Sequence, residues 1–124
     1  MSKAPGALGY RMPAEWEPHE ATWIAWPHER SDWPGKFPII PEVYAEIVRQ
    51  LHQSELVRIL VNDALMERRA RQRLSCSAID LARVEFYRFP TDRVWTRDYG
   101  PIFVTNPGGE PAITNWKFNA WAKY

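Results

Sequence analysis

The stretch LVRILVNDALMERRARQRL at residues 56–74 decides the fold of this chain. Its first six residues are aliphatic or β-branched apart from Arg58, a composition typical of a buried β-strand. Asn62 and Asp63 follow as candidate caps for a helix, and the pattern after them predicts a helix that ends near Leu74. A strand followed directly by a helix is a building unit of α/β proteins.

The same alternation of strand and helix precedes this stretch. Residues 21–26 form a β-branched and aromatic run closed by Pro27, which predicts a strand, and a loop is expected over residues 28–38. Pro41 suits the first turn of a helix, where its missing N–H removes no hydrogen bond. The apolar residues beyond it recur at intervals of three and four and predict an amphipathic helix: Val43, Ile47, Val48 and Leu51.

A third strand and a hairpin complete the pattern. Residues 84–89 have the composition of a strand, which Pro90 stops. Residues 102–105 and 112–118 flank the turn signal NPGG at 106–109, and together they predict a β-hairpin. Strand, helix, strand, helix, strand and hairpin predict an α/β protein.

The charge balance excludes some classes of partner. Lys and Arg number 16 and Asp and Glu number 15, so the formal net charge is +1. This is too little to attract a polyanion, and nucleic acid is not a predicted partner. The basic residues at 68–73 lie at helical spacing among apolar positions and are expected to form one solvated face. No apolar run approaches the ~20 residues that cross a bilayer, so no membrane partner is predicted.

Cysteine usage and the first residues bear on the location of the protein. The single cysteine, Cys76, has no second cysteine with which to form an internal disulfide. The opening sequence MSKAPGALGY lacks the basic-then-apolar layout of a signal peptide. We therefore expect a cytoplasmic protein.

The stretch DRVWTRDYGP at residues 92–101 carries the candidate chemistry. It lies between two predicted strands, and loops at strand ends are where α/β proteins gather their ligands. Asp98 can accept a bidentate pair of N–H bonds, and the indole of Trp95 can supply a cation–π face, so a guanidinium or amine ligand is favoured. Asp98 could equally pair with Arg93 or Arg97 and pin the turn, with Trp95 in the core. The spacing does not decide between these interpretations.

Three separated motifs resemble those of one enzyme family. MPAEWEPHEATWIAWP at residues 12–27 resembles the opening of agmatine deiminases and of the related bacterial, Porphyromonas-type peptidyl-arginine deiminases. WTRDYGP at 95–101 resembles the family segment Trp-x-Arg-Asp-x-Gly-Pro. WKFNAW at 116–121 resembles its Phe-Asn-x-Trp stretch, although AKY at 122–124 is shorter than the Gly-Gly-Lys-Tyr form common in agmatine deiminases. From about Tyr10 onward, the chain is identified as a member of this family.

The resemblance implies a pentein fold, a β/α propeller of repeated ββαβ modules around a central channel. This chain would supply the first module and part of the next. In that family a cysteine thiolate attacks the guanidinium carbon, ammonia leaves, and water hydrolyses the intermediate with a histidine as acid and base. No metal or other cofactor takes part. The substrate is agmatine, converted to N-carbamoylputrescine and ammonia in putrescine biosynthesis, or a peptidyl-arginine, converted to peptidyl-citrulline.

The motif match assigns roles to particular residues. Asp98 matches the aspartate that grips the guanidinium, and Trp95 matches the aromatic residue of the pocket wall. Arg97 is assigned to structure, because it would face the opposite side of an extended segment. The family's catalytic His and Cys lie downstream, so no catalytic residue is expected in this chain and it is expected to be inactive alone. The alternative is a non-catalytic module that binds guanidinium or amine ligands.

The other candidate residues are assigned structural roles. Cys76 is expected to be a buried or half-buried thiol, and no His/Cys/Asp spacing supports a metal site. His52 is expected at the surface near the carbonyl end of a helix. His28 and His19 are expected to be mainly structural, with a lesser role for His19 at the channel mouth. Four tryptophans are expected to pack rather than to form a cation cage: Trp16, Trp23, Trp26 and Trp33.

The predicted organisation is a flexible leader over residues 1–10 and the amino-terminal portion of one catalytic domain over residues 11–124. The sequence is aromatic up to Tyr124, which suggests a chain cut short within that domain. Such a cut would expose a large apolar edge, so self-association through this edge is expected.

Overall fold

The computed structural model describes residues 3–119, which divide into two compact units. The larger unit spans residues 19–96, and the smaller unit combines residues 3–18 with residues 97–119. The larger unit is therefore one continuous segment of chain, inserted between the two segments that build the smaller unit.

A three-stranded parallel sheet forms the centre of the larger unit. Its strands lie in the order β1-β2-β3, with these bounds: β1 (Ala21–Ala25), β2 (Leu56–Val61) and β3 (Val84–Arg88). At the middle of the sheet, Ile59 of β2 is in register with Ile24 of β1 and Phe86 of β3. Because the strands are parallel, their carboxyl ends share one edge of the sheet.

Two α-helices connect the strands: α1 (Ile40–Leu51) and α2 (Ala64–Ser75). Pro41 lies in the first turn of α1, as predicted. The carboxylate of Asp63 caps α2 by accepting a hydrogen bond from the N–H of Met66 at 2.7 Å, an arrangement that contributes about 1 kcal/mol. The predictions of a strand at residues 56–61 and of a helix that ends near Leu74 are confirmed.

The core of the larger unit lies between the sheet and these two helices. Buried and partly exposed side chains alternate along β2, and the buried ones are Val57, Ile59 and Val61. They belong to the same cluster as Val48 of α1 and Leu74 of α2. Burial of an aliphatic side chain contributes about 1.5–3 kcal/mol, so this cluster is what holds both helices against one face of the sheet.

The buried face of helix α1 differs from the apolar stripe that the sequence predicted. Val48 is buried, but Val43 and Ile47 are 47% and 40% exposed. The other buried residue of the helix is Ala45. Its small side chain lets the helix approach β2 closely, which leaves the larger Val43 and Ile47 on the outer side.

A charged and aromatic cluster covers the opposite face of the sheet. Arg58 donates hydrogen bonds from Nε to Glu85 and from Nη2 to Glu20, both at 2.7 Å. The Arg58 guanidinium also lies 5.6 Å from the ring centroid of Trp23, within cation–π range, and Trp23 packs against Tyr87. These contacts link all three strands on this face.

This cluster predicts an acid-sensitive contribution to stability. Hydrogen bonds from Arg58 and Tyr87 hold the pKa of Glu85 below its ordinary value of 4.5 in the folded protein. A carboxyl whose pKa is lowered by folding stabilises the protein above its unfolded pKa, and this stabilisation is lost as the pH falls through the folded pKa. We therefore expect the free energy of unfolding of Glu85→Gln to fall less steeply than that of the wild type below pH 4.5. Urea unfolding across this range measures the slopes, and parallel curves would contradict the prediction.

The smaller unit contains a two-stranded antiparallel hairpin, β4 (Ile102–Thr105) and β5 (Pro111–Thr114). In the turn between the strands, Gly109 has a φ of 79°, a left-handed conformation that favours glycine. Arg11 adds an isolated antiparallel bridge to Thr105. The predicted hairpin is therefore present, and one residue of the amino-terminal segment extends it.

The second strand of this hairpin is shorter than predicted. The sequence indicated a strand over residues 112–118, but β5 ends at Thr114, which pairs with Ile102. Pro101 precedes Ile102 and has no N–H to donate, so β4 offers no further ladder partner. The strand therefore stops where its partner stops.

Of the short helical elements in the described residues, two belong wholly or partly to the smaller unit. A 3-10 helix at Pro5–Leu8 lies in the segment predicted to be a flexible leader, and that flexibility stays a prediction. A single helical turn, α3 (Thr96–Tyr99), begins at the last residue of the larger unit. Among residues 3–119, the structure contains no helix whose length and apolar character would suit a bilayer span.

Candidate functional site

Trp95 follows β3 in the larger unit and packs against a second tryptophan. Its ring centroid is 5.8 Å from that of Trp33, which also contacts Phe37 and Tyr44. Trp33 lies in the loop predicted over residues 28–38, which contains two short 3-10 turns. Trp95 remains 39% exposed, so part of its indole packs and part meets solvent. This position suits the wall of a binding site better than the interior of a core.

Ion pairs hold the backbone just before Trp95. The Nη1 of Arg93 is 3.2 Å from Glu29 and its Nε is 3.3 Å from Asp32. The Glu29 carboxylate also accepts hydrogen bonds from the N–H and O–H of Ser31, and these lower the pKa of Glu29 below its ordinary value. Arg93 therefore has carboxylate partners within the larger unit.

The residues on either side of Trp95 are fixed as well. Val94 is 4% exposed. Thr96 donates its O–H to the carbonyl of Trp23 on β1 at 3.3 Å and its N–H to the carbonyl of Val94 at 2.8 Å. Trp95 is therefore a half-exposed side chain on a segment that is anchored on both sides.

Asp98 lies in the smaller unit, on α3, and is exposed. The prediction that Arg97 lies on the side opposite Asp98 assumed an extended segment. The segment is helical, so that assumption was wrong. A first-turn aspartate suits the positive end of a helical turn, and this favours the local conformation. Arg97 pairs with Glu15 instead of Asp98. Within residues 3–18 and 97–119, the Asp98 carboxylate forms no hydrogen bond or ion pair, so no partner in this unit occupies its oxygens.

Asn62 has a role that the sequence did not predict. It was paired with Asp63 as a candidate helix cap, but Asp63 forms the cap. The Oδ1 of Asn62 accepts the backbone N–H of Thr91 at 2.9 Å, and its Nδ2 donates to the Thr91 carbonyl at 3.3 Å. A polar residue directly after the central strand, beside a strand that Pro90 follows closely, is the sequence signal that could have indicated this contact.

The histidines differ in part from expectation. His52 is buried and not at the surface, because its ring folds back over the end of α1 and places Nδ1 2.8 Å from the carbonyl of Arg49. His19 is half-exposed, and its Nδ1 lies 3.4 Å from Glu55. In the part of the chain that the structure describes, no group of three or more His, Cys, Asp or Glu residues is arranged to hold a metal ion.

The expectation that Cys76 is buried or half-buried and the expectation that Trp16 packs are both wrong. Cys76 is exposed, because it lies just beyond α2, where the chain leaves the helix. Trp16 is 89% exposed, because it lies on a tight turn of the smaller unit. The other three tryptophans pack as predicted: Trp26 is buried, Trp33 contacts Trp95, and Trp23 contacts Tyr87.

The basic residues of α2 are exposed, as predicted. Arg71 pairs with Glu67 at 2.8 Å, and Arg73 pairs with Glu42. Arg69 and Arg73 line a groove of about 800 Å³ beside the helix. Trp95 and Asp98 are not among the lining residues of this groove.

Comparisons with known proteins agree with the sequence motifs. Residues 11–124 match the family described as Porphyromonas-type peptidyl-arginine deiminase. The chain is 36% identical to an agmatine deiminase of Ectopseudomonas mendocina over 124 residues, which is all of this chain and 32% of the relative. It is 33% identical to an agmatine deiminase of Pseudomonas aeruginosa over 123 residues, 99% of this chain and 32% of the relative.

A solved structure gives the same result for the fold. The chain is similar to an agmatine deiminase of Enterococcus faecalis, with a TM-score of 0.82, 28% identity, and coverage of 98% of this chain and 32% of that one. The predicted fold class, an α/β chain of the pentein type, is confirmed. The chain spans about a third of the length of the curated relatives it matches. Trp121 of the third motif lies outside the described residues.

Proposed function

Because this chain belongs to the Porphyromonas-type peptidyl-arginine deiminase family, we propose that it is the amino-terminal part of a hydrolase that deiminates a guanidinium group. The match over residues 11–124 carries the proposal. The relatives from Ectopseudomonas mendocina and Pseudomonas aeruginosa are agmatine deiminases, which favours agmatine over a peptidyl-arginine as substrate. The product of agmatine would be N-carbamoylputrescine, with release of ammonia.

Asp98 and Trp95 are the proposed binding groups. The Asp98 carboxylate would accept two N–H bonds from the guanidinium, a charge-assisted and bidentate contact. Its exposure and its lack of a partner within the described part of the smaller unit support this role. The exposed part of the Trp95 indole would cover the planar cation, a contact of about 0.5–2 kcal/mol. Both contacts would hold the central carbon in place for attack.

The proposed reaction needs groups that this chain does not supply. A cysteine thiolate would add to the guanidinium carbon, ammonia would leave, and water would then cleave the carbon–sulfur bond to give the ureido product and restore the thiolate. We place this thiol and the acid–base histidine in the remaining two thirds of the longer enzyme. Cys76 is not assigned the role, because it follows α2 and lies outside the three family motifs. The chain by itself is expected to be inactive.

Ammonia release tests the proposal. The chain and the product of its complete reading frame are each incubated with agmatine and with a peptidyl-arginine, and ammonia is measured over time. We expect release only from the longer product, and faster release from agmatine. Release by the chain of residues 1–124 would overturn the assignment of the thiol and histidine to the remainder of the enzyme.

A non-catalytic binding module is the second candidate, favoured by the exposed Asp98 carboxylate, which has no partner in the described part of the smaller unit, and by the exposed part of the Trp95 indole. It predicts that guanidinium or amine ligands bind to both proteins without ammonia release from either. Calorimetric titration with agmatine separates the two functions, because turnover adds a continuing heat signal to that of binding.

Self-association and a cytoplasmic location are also part of the proposal. Several large apolar side chains of the smaller unit are exposed, namely Phe103 at 46%, Ile113 at 61% and Trp116 at 73%. An exposed apolar surface of this kind favours association, which sedimentation velocity at several concentrations would reveal.

A further inference from the structure

We propose that Asn62, assisted by His28, is a positioning residue for the guanidinium site. It would act by clamping the backbone of Thr91 and so fixing the segment that carries Trp95. This inference rests on the proposed function. Asn62 would not contact the substrate. It would affect the reaction only through the segment that carries Trp95.

The clamp continues the parallel sheet with a side chain. The pairing of β2 with β3 ends at Val61 and Arg88, and Pro90 follows without an N–H to donate. The Asn62 amide then replaces the missing backbone pair, because Oδ1 accepts the Thr91 N–H at 2.9 Å and Nδ2 donates to the Thr91 carbonyl at 3.3 Å. A carboxamide has the same donor and acceptor pair as a peptide group, and this is why asparagine suits the position.

His28 completes the clamp from the side of β1. Its Nε2 donates to the Thr91 carbonyl at 2.7 Å, and its Nδ1 lies 3.2 Å from the carbonyl of Trp26. The Thr91 carbonyl therefore has two donors, and its N–H has one acceptor. The backbone of this residue is held by side chains that follow the other two strands of the sheet, Asn62 after β2 and His28 after β1.

The position of the clamp determines what it controls. Thr91 is the first residue after Pro90, and only three residues separate it from Trp95. The downstream anchors, Arg93 and Thr96, fix the other parts of this short segment. Without the clamp, the backbone N–H and carbonyl of Thr91 would lose their hydrogen bonds to Asn62 and His28, and Trp95 would sample a wider range of orientations.

The test uses the product of the complete reading frame and the Asn62→Ala variant. We expect kcat/KM for agmatine to fall by about 10-fold, since small displacements of positioning groups slow reactions strongly. We also expect faster amide hydrogen exchange over residues 91–95. His28→Ala removes one of the two donors to the Thr91 carbonyl and should cause a smaller change in the same direction, which keeps the test open if Asn62→Ala folds poorly.

Asn106→Ala is the matched control. Asn106 also binds a backbone N–H through Oδ1, that of Glu110 at 3.0 Å, and its Nδ2 donates to the Glu110 carboxylate at 2.7 Å, but it lies in the hairpin turn of the smaller unit. We expect it to lower the melting temperature without changing kcat/KM or the exchange of residues 91–95. If both variants change kcat/KM equally, or if Asn62→Ala stays within about twofold of the wild type, the positioning role is wrong.

Hydrogen exchange separates this proposal from the proposed function. If the wild-type product releases ammonia from neither substrate, the proposed function fails. Amide hydrogen exchange at residues 91–95 still tests whether Asn62 holds the backbone of Thr91. Faster exchange in Asn62→Ala alone supports the clamp, whereas equal exchange in Asn62→Ala and Asn106→Ala overturns it. A fall in kcat/KM without faster exchange also overturns it, because the loss would then not pass through the segment.

Discussion

The Asp98→Asn variant of the complete reading-frame product is expected to lose kcat/KM for agmatine by about 100-fold or more. Removal of one partner from a hydrogen-bonded charge pair costs about 2–5 kcal/mol, and each 1.4 kcal/mol corresponds to about a factor of ten. The amide keeps the shape of the side chain but replaces one acceptor oxygen with a donor group that opposes the guanidinium N–H. Steady-state ammonia release measures the change.

Asp92→Asn is the control for this prediction. Asp92 is an exposed carboxylate in the same segment, and its substitution changes the net charge by the same amount. We expect near wild-type kcat/KM from Asp92→Asn and similar melting temperatures for both variants. A lower melting temperature for Asp98→Asn with unchanged kcat/KM would mean that Asp98 has a structural role only. Loss of agmatine binding in a protein that never releases ammonia would support the non-catalytic module.

The Leu74→Ala variant is expected to lower the free energy of unfolding by about 2–5 kcal/mol. Leu74 is fully buried among α2, α1 and the sheet, so truncation removes packed atoms and leaves a cavity. Alanine is at least as good a helix former as leucine, and the loss therefore reports on packing and not on helix propensity. The midpoint of urea unfolding measures the change when the slope of the transition is unaltered.

Leu65→Ala on the same helix provides the comparison. Leu65 is 46% exposed, so the same substitution there should cost less than about 1 kcal/mol. Equal losses for the two variants would show that α2 does not pack against the sheet through Leu74, which would contradict the described core.

The regular elements were predictable because each depends on local sequence. The bounds predicted for β2 match Leu56–Val61, because a run of aliphatic residues closed by a helix cap leaves one suitable conformation. The sequence offered Asn62 and Asp63 as candidate caps for α2, and Asp63 is the cap. Asp98 and Trp95 were identified by resemblance to the family motif, and their roles stay predictions.

The errors arise where a residue's environment depends on distant parts of the chain. The end of β5 at Thr114 is set by where β4 begins, and the burial of His52 is set by the fold of its ring onto α1. The exposure of Trp16 also could not be derived from its aromatic character. The local sequence pattern indicates the conformation of a segment. It does not show whether another part of the chain packs over a given side chain.

The sequence alone determined the α/β class, the order of the strands and helices, the family, and the candidate pair Trp95 and Asp98. Only the tertiary structure decided how Trp95 is held: Asn62 and His28 reach Thr91 from positions 29 and 63 residues away along the chain. The physical reason is that a helix or strand follows from neighbours in sequence, whereas the contacts of a side chain after a strand depend on which other strands end at the same edge of the sheet.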